Sequence, residues 1–563
     1  MKRQRFMAFL IVMVLTTTFT LAGSPETKEE KVDALFFQWD KPGSPGAAIA
    51  VVKDGKVLYT KGYGSANLEY DIPITSQTIF DIASVSKQFT GMAIAILEEQ
   101  GKISMDDDIR KYIPEVPDFG KTITLRHLNH HTSGIRDWPE AFVMAGVSFD
   151  DVIEFRHILR LVRHMEKLNF DPGEEHLYSN TNYNLLAEVV KRVTGKSFRE
   201  WTHEHIFKPM DMTHTHFHDD HHEIVKNRAY SYYFKDNGEY IKAVENLSAC
   251  GSSSLYTTVE DLSRWMINLG TGKVGGKAVI EKMYTTGVLN NGEKVSYAYG
   301  LETKDYKGLK MVNHSGGWAG FFTYLAYFPE QQFGVTVLFN RYSSAERMAH
   351  KIADIYLEPY FKEDPEQKPK PAAKKEPGKH KAIKVKKERF DRYVGKYRLY
   401  HGFVVTVTRE GDMFMVQAAG QKNYQILPES ETKYYFKDFD AQILFQEDEK
   451  GEIDRFILYQ GGRERVAKRF EVIIPPPEEL KSYTGTYHCE ELDARYTIIV
   501  KEKKLTVTHR RHSDAILEPE EKDCFTSSAG VFRDVRFKRD EQGNITGFKT
   551  GSQRARDYCF KKI

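Results

Sequence analysis

Ser84-Val85-Ser86-Lys87 sets a hydroxyl and an amine three residues apart. On helical backbone that spacing puts both on one face, a turn from each other. A serine hydroxyl is a weak nucleophile until a base removes its proton. A lysine can be that base if burial lowers its pKa, and a helix N-terminus favours the negative charge developing on Ser84. Two further groups could complete the chemistry. Tyr178-Ser179-Asn180 follows the turn Phe170-Asp171-Pro172-Gly173. A tyrosine among cations can be held near deprotonation and pass the serine proton to a leaving group, and Asn180 can hydrogen-bond a substrate amide. His314-Ser315-Gly316-Gly317 is expected to begin a strand running through Phe321 to Phe328. Its glycines let a substrate backbone approach closely, and the amide of Gly317 can join that of Ser84 as an oxyanion hole. The chemistry is acyl transfer. Ser84 attacks an amide or ester carbonyl, and water releases the acyl group with Tyr178 and Lys87 acting as base. It calls for no metal and no organic cofactor.

Elements that could position these groups are legible around them. Phe89, Met92, Ala93, Ile96 and Leu97 fall on one helical face, which predicts a helix over 84–100 ended by Gly101. Ala47 to Val52 and Val57 to Tyr59 are apolar runs joined through Asp54-Gly55, a hairpin signal. Residues 32–360 mix strand and helix signals in this way and read as one domain. At 563 residues the chain needs more than one core. From 362 to 387, four prolines and ten lysines mark a solvated linker. Beyond it Tyr393-Val394-Gly395-Lys396-Tyr397 recurs as Tyr483-Thr484-Gly485-Thr486-Tyr487, and Asp448 to Phe456 recurs as Asp540 to Phe548. Two matching signatures at nearly one offset predict tandem units, 388–472 and 477–563, each a small antiparallel barrel.

Other features are weighed and set aside. Ser430-Glu431-Thr432-Lys433 repeats the Ser84 spacing within a strand-like stretch, a coincidence. Lys549-Thr550-Gly551 aligns by repeat register with Ile457-Leu458-Tyr459 and reads as barrel strand, with a loop reaching the active site as the alternative. His214, His216, His218, His221 and His222 invite a metal, but Lys226 stands where an HExxH helix needs its second histidine, so they read as solvated surface. With 81 Lys plus Arg against 79 Asp plus Glu, no excess charge calls for nucleic acid. Residues 1–23 carry Lys2, Arg3 and Arg5, an apolar run from Phe6 to Leu15, and small residues at Ala22 and Gly23. That is the pattern of a cleaved signal peptide, too short to span a membrane, and it predicts export to the periplasm or medium. Export would permit a disulfide among Cys489, Cys524 and Cys559; Cys250 stands apart.

The Ser84, Tyr178 and His314 groups resemble the SxxK, YxN and KTG elements of the penicillin-recognising serine hydrolases. That group takes in class C β-lactamases, penicillin-binding proteins, D-aminopeptidase and related esterases. Phe80-Asp81-Ile82-Ala83, Leu128 to Gly134, Gly251 to Leu262 and Phe339-Asn340 are similar in character to the same family. The resemblance implies an α/β (α+β) transpeptidase-like domain, with an antiparallel sheet flanked by helices, followed by two lipocalin-like barrels. It implies Ser84, Lys87 and Tyr178 as catalytic residues, and Asn180, His314, Ser315, Gly316 and Gly317 as the substrate and oxyanion side. His314 departs from the family's usual lysine, a substrate-carboxylate anchor, and a histidine is mostly neutral at neutral pH. That favours D-amino-acid peptides or esters, small or cell-wall-derived, over β-lactams. A β-lactamase and a sensor that acylates without turnover are the other two readings.

Overall fold

Ala47 to Lys53 sends alternate side chains to opposite faces, and both faces are buried. Ala48, Ala50 and Val52 enter one core, and Ala47, Ile49 and Val51 another. A strand apolar on both sides belongs in the middle of a layered domain. In the computed structural model it lies inside a six-stranded antiparallel sheet. The strand order is Glu302–Tyr306, Leu309–Trp318, Phe321–Phe328, Phe333–Phe339, Ala47–Lys53, Lys56–Tyr63. The structure describes residues 27–235, 237–362, 382–400, 403–418, 421–460, 463–527, 532 and 534–563. The predicted signal peptide and most of the linker lie outside the described residues.

The predicted hairpin forms as read. Asp54 and Gly55 both have positive φ, 51° and 73°, the backbone twist a two-residue turn requires. The helices Lys28–Phe36 and Ala345–Leu357 cover one sheet face, and Val259–Thr271 covers the other. The predicted 84–100 helix is two elements, a 3-10 turn over Ala83–Ser86 and an α-helix over Lys87–Glu99. Every residue of that helix from Lys87 to Leu97 is buried, so it is a core helix. His314 to Gly317 and Phe321 to Phe328 are two neighbouring antiparallel strands turning at Ala319-Gly320, which corrects the expectation of one continuous strand. Chain direction reverses because Ala319 and Gly320 both take positive φ.

Each repeat closes into an eight-stranded antiparallel barrel, running from Gly395–Tyr400 to Arg463–Phe470 and from Gly485–Cys489 to Tyr558–Lys562. The repeated signatures have structural work in common. Tyr397 and Tyr487 donate their hydroxyls to the carbonyls of Tyr393 and Tyr483, at 2.8 and 2.7 Å. Asp448 and Asp540 each accept backbone amides across the following turn. Lys549 to Gly551 is barrel strand, in the strand Ile545–Gly551.

The second barrel is fused to the hydrolase-like domain. Its interior apolar cluster runs on into Trp138, Phe142 and Met144 of the helix Trp138–Met144, and Tyr496 donates to the Met144 carbonyl at 3.0 Å. Arg136, fully buried, pairs with buried Glu491 of the barrel at 2.9 Å. The four cysteines are free thiols, so no disulfide joins Cys489, Cys524 and Cys559. No helix among the described residues is long and apolar enough to cross a membrane.

Candidate active site

Ser84 sits on a strained turn clamped from two sides. The strand Phe80–Asp81 pairs with Leu255–Thr257, and the Ile82 amide donates to the Leu255 carbonyl at 3.0 Å. Ala83 then takes φ 49°, a left-handed conformation that costs a non-glycine residue energy. The Asp81 carboxylate holds it by accepting the Ala83 amide at 2.6 Å. From the other side Thr323 donates to the Ile82 carbonyl at 2.7 Å, and Gly316 lies against the same turn. A Cβ on Gly316 would fall 2.4 Å from the Ile82 oxygen and 2.2 Å from Thr323 Oγ1, so only glycine lets the 309–318 strand come this close. The strand carrying His314 to Gly317 is thereby set beside Ser84.

Lys87 is fully buried. Its Nζ lies 3.1 Å from Ser84 Oγ, 2.8 Å from Asn180 Oδ1 and 2.6 Å from the Ser252 carbonyl oxygen. Burial pushes its pKa well below the ordinary lysine value; Asp137 opposes that shift and Arg554 adds to it. A neutral amine has two N–H groups and one lone pair. Asn180 and Ser252 offer two fixed acceptors, which leaves the lone pair for the Ser84 hydroxyl. The three contacts fit a free amine poised to accept a proton.

Tyr178 lies on the loop before the helix Asn180–Thr194, with its ring 4.8 Å from Lys87 Nζ. Its phenol is not held near deprotonation. Burial pushes its pKa up, partly offset by a hydrogen bond with Ser84, so at neutral pH Tyr178 keeps its proton. The Asn180 carboxamide is fully engaged by the protein. It accepts from Lys87, and its amide nitrogen lies 3.1 Å from Asp137 Oδ1, which also accepts the Asn180 backbone amide at 2.7 Å. Asn180 therefore orients Lys87 rather than facing open space. His314 Nδ1 donates to the Ser315 carbonyl at 2.6 Å, which in a neutral ring leaves Nε2 to accept the Tyr297 hydroxyl at 2.9 Å. Burial, the largest cause, drives the His314 pKa down to about 4, and any positive charge on Lys87 opposes its protonation further, so it is neutral more firmly than its residue type implies.

Two groups in this site escape a motif reading. Asp137, buried, anchors Asn180. Arg554 arrives from the second barrel, on the 552–557 segment that follows the Lys549-Thr550-Gly551 strand. Its guanidinium pairs with Asp137 at 2.9 Å and Glu140 at 2.9 Å and lies 5.8 Å from the Tyr178 ring centre. The Arg554 carbonyl accepts from the Asp137 amide, and its own amide donates to Glu140 at 2.7 Å. Burial raises the Asp137 pKa to about 6 despite Arg554, so above that pH a carboxylate sits between the Arg554 guanidinium and the Lys87 amine. The signal was available in the repeat alignment. The chain between the last two strands is two residues in the first repeat, 461–462, and six in the second, 552–557.

Among the described residues, two clusters have metal-ligand spacing, His216–His218–Glu223 and Asp220–His221–His222. Neither includes a residue of the Ser84 site. His218 is buried, which corrects the expectation that the histidine run is all solvated surface. Ser430 and Lys433 close a turn by backbone hydrogen bonds, and Lys433 pairs with Glu429.

Comparison with known proteins places these observations. Residues 32–357 match the family description "Beta-lactamase", and residues 379–471 and 469–562 each match "Domain of unknown function (DUF3471)", so the two barrels are copies of one module. The chain is 28% identical over 464 residues to "Penicillin-binding protein 4*" of Bacillus subtilis (strain 168), covering 79% of this chain and 99% of that protein. It is 24% identical over 545 residues to "D-aminopeptidase" of Gluconobacter oxydans (strain 621H), covering 93% and 96%. The solved "octameric penicillin-binding protein homologue from Pyrococcus abyssi" aligns at a TM-score of 0.55 and 24% identity, over 87% of this chain and all of that one, a likeness of fold.

Proposed function

Because the chain belongs to the Beta-lactamase family of serine hydrolases, we propose that it is an exported hydrolase that cleaves amide or ester bonds of D-amino-acid compounds through a Ser84 acyl-enzyme. The observation that carries this reading is the Lys87 contact set, two fixed acceptors and the Ser84 hydroxyl around one buried amine. Lys87 takes the Ser84 proton as Oγ attacks the carbonyl carbon. The oxyanion lies between the backbone amides of Ser84 and Gly317. The Tyr178 phenol gives its proton to the departing amine or alcohol and is refilled from the Lys87 ammonium. Water then attacks the ester carbonyl, its proton passing back along Tyr178 and Lys87, and Ser84 is restored.

The substrate class rests on charge. Neutral His314 gives little hold on a substrate carboxylate, and Arg554, the cation near Tyr178, is already paired with Asp137 and Glu140. A β-lactam or a peptide anchored through its C-terminal carboxylate lacks a partner here. Burial sets the pKa shifts of Tyr178, upward, and His176, downward; the Glu302 carboxylate, paired with Lys304 at 2.8 Å, adds a smaller upward contribution to both, a negative charge on this side that suits a substrate carrying a positive amino group. The relative named "D-aminopeptidase" supports that direction. Export rests on the pattern of residues 1–23, and the N-terminal mass of protein recovered from the medium or periplasm tests it.

The decisive experiment offers D- and L-aminoacyl nitroanilides, a nitrophenyl ester and a chromogenic β-lactam to the wild type and to Ser84→Ala. The expected result is Ser84-dependent turnover of D-aminoacyl and ester substrates with slow or no β-lactam turnover. Fast β-lactam turnover would make the chain a β-lactamase, and a lasting acyl adduct on every substrate would make it a sensor. Full ester hydrolysis by Ser84→Ala would remove Ser84 from the mechanism.

A further inference from the structure

The strand His216–Phe217 is an edge of a three-stranded sheet whose middle strand is Leu255–Thr257 and whose far strand is Phe80–Asp81. Residues two apart on extended backbone share a face, so His216 and His218 point the same way. The turn at 219–222 then returns the chain, with the Glu223 amide donating to the Asp220 carbonyl, and brings Glu223 over both rings. His216 Nε2 lies 3.4 Å from His218 Nδ1, and Glu223 Oε2 lies 3.9 and 3.6 Å from those nitrogens.

Those three distances define a triangle whose centre is about 2.1 Å from each corner, the length of a Zn–N or Zn–O bond. Ligands on one face of an octahedral ion stand closer, at about 3.0 Å from one another, so the spacing suits a three- or four-coordinate ion over an octahedral one. From this geometry we propose that His216, His218 and Glu223 bind one zinc-class divalent cation, at a site separate from Ser84.

His218 is fixed in place by stacking on Tyr256, centroids 4.3 Å apart and planes 11° apart. Arg199 contacts Glu223 Oε2 at 2.6 Å and Oε1 at 2.8 Å. An ion at Oε2 displaces the first contact, and Asp219 at 3.0 Å retains that guanidinium nitrogen. A cleft of about 640 Å³ lined by His216, Glu223, Arg199 and His214 gives the ion a path in and a water its fourth position. Tyr256 pairs with His216 on one side and Asp81 on the other, so a bound ion braces the strand that holds the Ser84 turn.

The test uses the full chain stripped with a chelator and titrated with Zn2+ by calorimetry, with Co2+ as a spectroscopic reporter. One equivalent of zinc is expected, with a rise in Tm that grows with zinc concentration and a low-coordinate Co2+ spectrum. His216→Gln and Glu223→Gln should weaken binding by at least about tenfold, whereas His222→Gln leaves it unchanged. His216 and Glu223 are partly exposed, so these variants keep the apo fold, which the apo Tm verifies. An octahedral Co2+ spectrum, no stoichiometric zinc, or binding that survives His216→Gln and is lost in His222→Gln would overturn the site.

Discussion

Asp137→Asn removes one negative charge from behind Lys87 with almost no change of shape. The Asp137 carboxylate touches the Asn180 side chain, whose oxygen is 2.8 Å from Lys87 Nζ, so charge and amine are roughly 6 Å apart. At an effective dielectric constant of about 20 that separation is worth about 3 kcal/mol, or about two pKa units. The sign follows from what is stabilised. A carboxylate favours the ammonium form of Lys87, so removing it lowers the Lys87 pKa and makes the free amine available at lower pH. Glu140 keeps the Arg554 guanidinium in place at 2.9 Å, and that cation continues to disfavour the ammonium.

The acid limb of kcat/KM for a neutral nitrophenyl ester, which reports the free enzyme, should therefore move down by about one to two pH units where it lies above the Asp137 titration near pH 6. The plateau should fall by less than about tenfold, since the carboxamide oxygen introduced at position 137 still accepts the Asn180 amide. Profiles from about pH 4 to about pH 9, with Tm at each end to verify folding, measure both. A limb that stays put or moves up would refute the assignment of Lys87 as a buried base tuned through Asn180.

Arg554→Ala gives the opposite sign. Without the cation the Lys87 ammonium is relieved of repulsion, so above the Asp137 titration the acid limb moves up, in the same kcat/KM profile. Gly316→Ala must push the 309–318 strand away from the Ser84 turn and should cost about a hundredfold in kcat. Gly317→Ala, whose Cβ meets no protein atom closer than 3.6 Å, should leave Tm unchanged, so any loss of activity there reports the substrate side and not a displaced strand. Arg136→Met strands the buried Glu491 carboxylate and should cost about 3–5 kcal/mol in denaturant unfolding, most of it recovered in Arg136→Met/Glu491→Leu. His130 and His314 stay neutral down to about pH 4 in the fold. Unfolded they would bind protons from about pH 6.5, so stability measured by urea should fall by roughly 1–2 kcal/mol per histidine between about pH 6.5 and pH 5.

How far the sequence reaches depends on the range of each signal. Ser84 and Lys87 are legible because their contact is local, three residues apart on one turn, and the hairpin at Asp54-Gly55 is legible because turn chemistry is local too. The repeated Tyr-x-Gly-x-Tyr segments announce two like modules because a motif used twice needs no tertiary knowledge. Role assignments fared less evenly. Asn180 reads as a substrate contact until Asp137, forty-three residues away, is seen to hold its amide. Tyr178 reads as a near-phenolate because cations surround it, but burial outweighs them and keeps it protonated. Alternating histidines beside Asp219 and Asp220 read as surface, yet His218 lies beneath Tyr256, and burial set by a distant strand is not written in the local pattern.

The largest gap lies between two copies of one module. Sequence repetition suggests equivalent barrels, and repetition alone cannot say which copy touches the active site. The two differ where the last strands join, with two residues in one and six in the other, and the longer connection carries Arg554 to Asp137. The same barrel takes Trp138 and Met144 into its apolar interior and Glu491 to Arg136. Arg136, Asp137 and Trp138 are consecutive, so one short segment is gripped from both sides, by barrel contacts and by Asn180 of the site. Displacing the second barrel must therefore move Asp137, and Asp137 is the carboxylate that opposes the lowering of the Lys87 pKa. The basicity of the candidate catalytic lysine is set in part by a domain about 470 residues further along the chain, through one ion pair and one carboxamide.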